Sequence, residues 1–182
     1  MLYVQQSLAP DEELIHIGRF HWFYDVQAVM NIVWGIFFAI ALLVAAVYFQ
    51  KYIPLKITVE PLMPGDNWVQ MIQKLHPGLK LASLLVFVIG VMKFAQMMVI
   101  KATTEIAVTT TRLIFKRGLV ARYVGEMNID RIESISVLQS VLGRLLNFGQ
   151  VVIRGMGVGE LHLPIIRDPV KFRRAIERAR TM

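Results

Sequence analysis

Two long apolar runs divide the chain, and a change of period follows them. Residues 26–49 hold no Asp, Glu, Lys, Arg or His. About 20 helical residues cross a hydrocarbon core of roughly 30 Å, and a helix that is apolar on every side has no polar face for water. The run therefore predicts a transmembrane helix over 26–49. Residues 79–100 form a second apolar block, with Lys80 at its edge and Lys93 inside it. Its length from 81 to 100 is enough to span. From residue 101 the pattern shortens to β runs at 105–109, 112–117, 120–127, 132–139, 149–154 and 160–164, separated by turn residues. That spacing predicts an antiparallel sheet or barrel. In the fourth run Ile132, Ser134, Ser136 and Leu138 alternate with Glu133, Ile135, Val137 and Gln139. Residues 140–147 read as a short helical turn. The chain ends in a helix with Asp168 as N-cap, Pro169 at its first position and Phe172, Ile176 and Ala179 on one face.

The flanking segments are less regular. Pro10, Asp11, Glu12 and Glu13 suit a helix start, but the β-branched stretch up to Gly18 fits a short extended segment equally well. Phe20, Trp22, Phe23 and Tyr24 precede the first apolar run, where Trp and Tyr favour the headgroup level. Trp22, Phe23 and Tyr24 are accordingly expected to form an interfacial belt. Residues 50–78 carry four of the seven prolines and predict a loop between the two spans. Within it, 55–60 alternates like a short strand. Asp66 is placed to cap a short helix that sets Trp68, Ile72 and Leu75 on one face. Such a helix either lies on the membrane surface or serves a partner-binding loop. The resulting division is a juxtamembrane segment 1–25, a span 26–49, an extracytoplasmic loop 50–78, a span 79–100 and a folded domain 101–182.

Composition strengthens the membrane reading. The 182 residues are 55% hydrophobic with a mean hydropathy of +0.53, against about 45–50% apolar in soluble domains. The absence of cysteine excludes disulfides and Cys-ligated zinc or iron–sulfur sites. Asp11, Glu12 and Glu13 sit where a signal peptide would carry a basic region and an apolar run, so no cleavable signal peptide is expected. Six bases balance six acids in residues 1–100, so the whole net charge of +7 lies in residues 101–182. A basic domain tied to a bilayer is drawn to anionic headgroups, at about 1 kcal/mol per well-placed base. Nucleic acid is the rival partner of a basic domain; with a membrane already present, it is not expected. Juxtamembrane bases give a slight bias toward cytoplasmic termini.

The candidate chemistry is sparse. Lys101, Arg112, Lys116, Arg117 and Arg122 surround the first predicted hairpin, close in sequence to the second span. They are candidate headgroup contacts, though Arg112 is also placed to pair with a neighbouring acid. Lys171, Arg174 and Arg178 form a basic stripe on the last helix, extended by Arg173 and Arg180, and are candidate headgroup or partner contacts. His16 and His21 with Glu12 and Glu13 carry metal-ligand chemistry, yet nothing in their spacing fixes a geometry, and interfacial polar residues explain them. Gly155, Gly157 and Gly159 lie between two β runs, whereas a phosphate loop precedes a helix; they predict a hairpin turn. Lys93 either snorkels to the interface or marks an intramembrane path. Gly35, Ala39 and Ala46 give the first span a small-residue side on which helices approach closely. No catalytic constellation, cofactor site or metal site emerges.

Several runs also carry a family resemblance. They are Val108-Thr109-Thr110-Thr111-Arg112-Leu113-Ile114-Phe115, Lys116-Arg117-Gly118-Leu119, Ile132-Glu133-Ser134-Ile135 and Leu142-Gly143-Arg144-Leu145-Leu146-Asn147-Phe148-Gly149-Gln150-Val151-Val152-Ile153. The segment from Glu12-Glu13 to His21-Trp22 adds to them. The chain resembles the bacterial PH-like domains attached to membrane helices, a family once called a domain of unknown function. The loop 50–78 is longer than in many relatives. The resemblance implies a two-helix membrane hairpin plus an α+β PH-like domain, an antiparallel sheet or barrel closed by a C-terminal helix, without known catalytic residues. It does not imply phosphoinositide binding. Two functions are then expected in competition: a scaffold acting through protein partners or self-association into a homo-oligomer or membrane-protein complex, and a sensor of anionic membrane lipids. A small transporter built on Lys93 is a third.

Overall fold

The first strand of the folded domain comes from ahead of the first long helix. β1, Leu14–Gly18, pairs antiparallel with β2, Glu105–Thr109, with Ile17 opposite Ala107 and Gly18 opposite Ile106. A computed structural model describes residues 2–52, 59–60, 63, 65–118, 123–157 and 159–181. It divides into one unit of residues 1–26 with 98–182 and another of residues 27–97. The sequence boundary at residue 101 is thereby corrected: the segment 1–25 belongs to the folded domain. Residues 9–12 make a turn closed by the Glu12 N–H donating to Ala9 O at 3.0 Å, so the helix start at Pro10 does not form.

In the first unit, β1 and β2 continue into β3, Arg112–Arg117, and β4, Tyr123–Asn128, as a sheet in the order β1-β2-β3-β4. A second sheet contains β5, Ile132–Leu138, β6, Phe148–Gly155, and β7, Gly159–His162. The two-residue β8, Ile166–Arg167, pairs with the start of β6, while Ile166 also bridges Phe20. The segment between β1 and the first long helix thus joins the second sheet. The β6–β7 connection is the predicted hairpin, with Gly157 and Gly159 at positive φ. The expected 55–60 strand and the start of the 120–127 run include residues outside those described.

Alternation explains the core. Ile106, Val108, Leu113 and Phe115 of the first sheet meet Val151 and Ile153 of the second, and α6, Pro169–Ala179, adds Phe172, Ile176 and Ala179. Ala107 and Ile114 point the other way, yet they are fully buried. The short helix α1, Leu2–Ser7, covers them with Val4. β5 departs from simple alternation. A bulge between Ile132 and Ser134 shifts the phase, so Ile132 joins Ile135 and Val137 on the core side and Ser134, Ser136 and Leu138 are exposed. At the start of α6, Asp168 occupies the cap position in the left-handed region, φ 51°, and makes no side-chain cap. Its carboxylate instead accepts from the side-chain amide of Asn147, itself left-handed at φ 59°.

The second unit lies within two long helices and a short one. α2 is Trp22–Tyr52, α3 is Trp68–Lys74 and α4 is Pro77–Thr103. Trp22–Phe49 and Pro77–Thr103 are long and apolar enough to cross a membrane. They cross where glycines meet: a Cβ on Gly90 would lie 2.9 Å from Gly35 Cα and 2.7 Å from Asn31 O. The Ser83 hydroxyl donates to Ala39 O at 3.0 Å. Ala46 packs with Val47 and Leu75. The small-residue side of the first span is thus occupied within the chain. Lys93 is exposed on α4 and has no ion pair among the described residues. Asn67 rather than Asp66 precedes α3, and its N–H donates to Gln70 Oε1 at 3.0 Å. Asp66 binds the Met63 N–H and Lys74, both at 2.7 Å. Leu75 is buried but Trp68 is exposed, so the expected face of Trp68, Ile72 and Leu75 is not the packed one.

Candidate functional site

The bases singled out around the first hairpin are largely engaged inside the domain. Lys101 Nζ lies 2.5 Å from Asp25 Oδ1. Lys116 Nζ lies 3.2 Å from Glu105 Oε1 and 5.3 Å from the centre of the Tyr3 ring. Arg112 binds three groups: Nε and Nη2 reach the two Glu12 oxygens at 2.9 and 2.7 Å, Nη1 reaches Glu126 at 2.8 Å, and Nη2 also donates to Ser7 O. Thr109 and Thr111 hydroxyls add bonds to Glu12 at 2.6 and 2.8 Å. Burial raises the Glu12 pKa, but hydrogen bonds from Arg112, Thr109, the Ala9 N–H and Thr111 outweigh it and bring the value down to about 2. The cluster is a rivet between the N-terminal segment and the β2–β3 turn. Arg117 is exposed without an ion pair among the described residues. Arg122 lies outside them.

The histidines are separated by their packing. His16 sets its ring edge-on to Phe172, and burial lowers its pKa, ahead of weaker effects of Asp168 and Lys171. His21 is buried against Phe148. No group of three or more metal-binding side chains occurs among the described residues. The expected aromatic belt also divides. Phe23 stacks on Phe148 with centroids 4.5 Å apart and planes 11° apart, and Tyr24 is buried, its ring 4.9 Å from Phe20. Trp22 remains exposed. Sequence composition marked all three as interfacial because the residue that stacks on Phe23, Phe148, lies over 100 positions away.

A concavity lies beside the end of β5. It is a groove of about 530 Å³ whose walls include Val137 and Leu138 of β5, Arg144 of α5 (Val141–Leu145), Gln150 of β6, and Val170 and Arg173 of α6. Its floor is set by Gly149, where a Cβ would lie 2.6 Å from Gln139 Cγ and 2.8 Å from Leu138 O. Gln139 ties the end of β5 down by donating to Phe148 O at 3.0 Å. Ser140 caps α5 by accepting the Gly143 N–H at 3.1 Å. β5 is bonded to β6 on one side and forms the edge of its sheet on the other. An apolar slot therefore lies at the C-terminal end of β5, whose outer edge carries no strand among the described residues. Two cations line it: Arg144 is exposed without an ion pair among the described residues, and Arg173 pairs with Glu177 at 2.8 Å. Arg174, the next residue of α6, is exposed without such a pair. Farther along α6, Arg178 is exposed without such a pair, while Lys171 lies 3.8 Å from Asp168. The sequence indicated the basic helix. The groove depended on the β5 bulge and the close approach at Gly149, neither of which has a local signature.

Two antiparallel sheets closed by an amphipathic helix, joined to two apolar helices that are candidate membrane spans, define a protein with a PH-like domain. A family comparison agrees: the chain matches the bacterial PH domain over residues 14–180 and belongs to that family. The match begins at the first residue of β1, so the family pattern includes the strand ahead of the spans. No curated protein and no solved structure matches the chain.

Proposed function

We propose that the protein is a membrane-anchored adaptor without enzymatic activity. The helices α2 and α4 hold the PH-like domain at the bacterial inner membrane with both termini in the cytoplasm. The domain docks an extended segment of a partner membrane protein along β5. The observation that carries this reading is the groove between the end of β5, the start of β6 and α6, next to the outer edge of β5. An added strand satisfies the unpaired backbone groups of the edge, and side chains entering an adjacent slot supply specificity. The exposed Arg144 and Arg174 favour a segment with acidic residues. Most hairpin bases are engaged in the ion pairs above, so they contribute less to this reading than the last helix does.

The test is photocrosslinking of the full chain in native membranes. A benzophenone side chain replacing Ser136, exposed on β5, is expected to give a discrete adduct. The adduct should disappear in a Leu138→Asp, Val170→Asp variant that keeps its fold. Absence of any adduct from Ser136, with the purified protein monomeric and without co-purifying proteins, would rule the adaptor out.

A further inference from the structure

α5 carries its apolar side chains outward. Val141 is 86% exposed, Leu145 79% and Leu142 57%. The cause is local. Gly143 is the buried residue of this helix, pressed so close that a Cβ would lie 2.7 Å from Phe148 O. The inner face is therefore backbone, and three of five side chains are left as an apolar tip. Scattered exposed leucines are ordinary, but a cluster on one turn marks an interaction surface.

The position of this tip identifies its occupant. Phe148, three residues after α5, stacks on Phe23 and lies 5.1 Å from the His21 ring. Its contacts fix α5 beside the first turn of α2. That turn begins with the exposed Trp22 and runs without a break into the apolar helix that ends the candidate span at Phe49. The surface beside the first turn of a spanning helix is the headgroup layer. Charge does not oppose this, since no acid occurs between Glu133 and Glu160. A partner protein would find this tip at the level of the lipids, where the bilayer competes for it at far higher local concentration.

We propose that α5 inserts Val141, Leu142 and Leu145 into the headgroup and acyl boundary of the adjacent leaflet, with Trp22 beside them. The domain is then held to the membrane by a third element besides its two helices, in the manner of an interfacial helix. This contact does not depend on the partner docking proposed above.

The absence of cysteine makes the test direct. Single variants Val141→Cys, Leu145→Cys and Met156→Cys of the full chain each carry one environment-sensitive fluorophore, in bilayers of phosphatidylcholine and phosphatidylglycerol. Met156 is exposed just beyond the far end of β6 from Phe148, roughly 23 Å away at about 3.3 Å per residue. The labels at 141 and 145 are expected to emit to the blue of the label at 156. Lipid-borne quenchers should reduce their emission most when placed shallowly, at about 5–10 Å below the headgroups. The label at 156 should be unaffected. Water-like, unquenched emission at 141 and 145 would overturn the proposal. Blue-shifted emission that lipid quenchers leave untouched would overturn it too, because a protein then covers the tip.

Discussion

At the scale of single residues, the Glu12 carboxylate organises the N-terminal segment. Its side chain is 2% exposed and lies against the Arg112 guanidinium, with Thr109 and Thr111 completing its bonds. Replacing it by Gln leaves Arg112 half-buried with Glu126 as its remaining acidic partner. A loss of about 2–3 kcal/mol is expected at neutral pH, the scale of hydrogen bonds to a charged group. The pH dependence has a definite sign. A carboxyl that titrates at about 2 in the folded state, against 4.5 for its model value, stabilises fully above pH 4.5. That contribution fades as pH falls toward 2. Denaturation curves of the native chain and of Glu12→Gln should therefore lie far apart at pH 7 and converge between those values. A gap that stays constant down to pH 2 would mean that Glu12 acts by shape alone.

Among the elements, those with a strong period were legible and those fixed by close approach were not. Both long apolar helices, the six β runs and α6 follow from hydrophobic spacing, and their limits among the described residues differ by a few residues. β1 was ambiguous because Leu14–Gly18 is five residues long and its partner lies beyond both spans. α1 left no expectation, since Val4 acquires meaning only from Ala107 and Ile114 beneath it. The phase of β5 reversed at a bulge that no residue announces. The basic stripe of α6 was readable, but its groove was not. The small residues of the first apolar helix were readable as a packing side, and the structure sets Gly35 against Gly90, Ala39 against Ser83 and Ala46 against Leu75. Gly90→Val places a branched side chain where even a Cβ would lie 2.7 Å from Asn31 O. Overpacking of that kind costs about 1–3 kcal/mol. The variant should lose helicity at lower denaturant in detergent than the native chain, whereas Val91→Ala, at an exposed neighbour, should not. Equal midpoints for Gly90→Val and the native chain would refute the tight crossing.

At the scale of the molecule, the two long apolar helices are an insertion in a domain that begins before them. The chain completes β1, leaves through α2, and returns through α4 to lay β2 against β1. Asp25 and Lys101 meet at 2.5 Å at the ends of that excursion. The domain therefore has a natural point of closure. Joining residue 25 to residue 101 by about five Gly and Ser residues, which reach up to roughly 16–18 Å, should yield a water-soluble domain with all eight strands. Residues 101–182 alone keep seven of these strands. They lack the N-terminal segment that pairs β2, covers Ala107 and Ile114, and binds Arg112. That fragment should not unfold cooperatively, whereas the joined domain should, with dispersed amide resonances and a single transition. The comparison also separates the roles of the parts. If the joined domain folds and still captures a partner through Ser136, the groove acts independently of the spans, and the helices supply location alone. If residues 101–182 fold cooperatively by themselves, β1 is an accessory strand and the insertion reading fails.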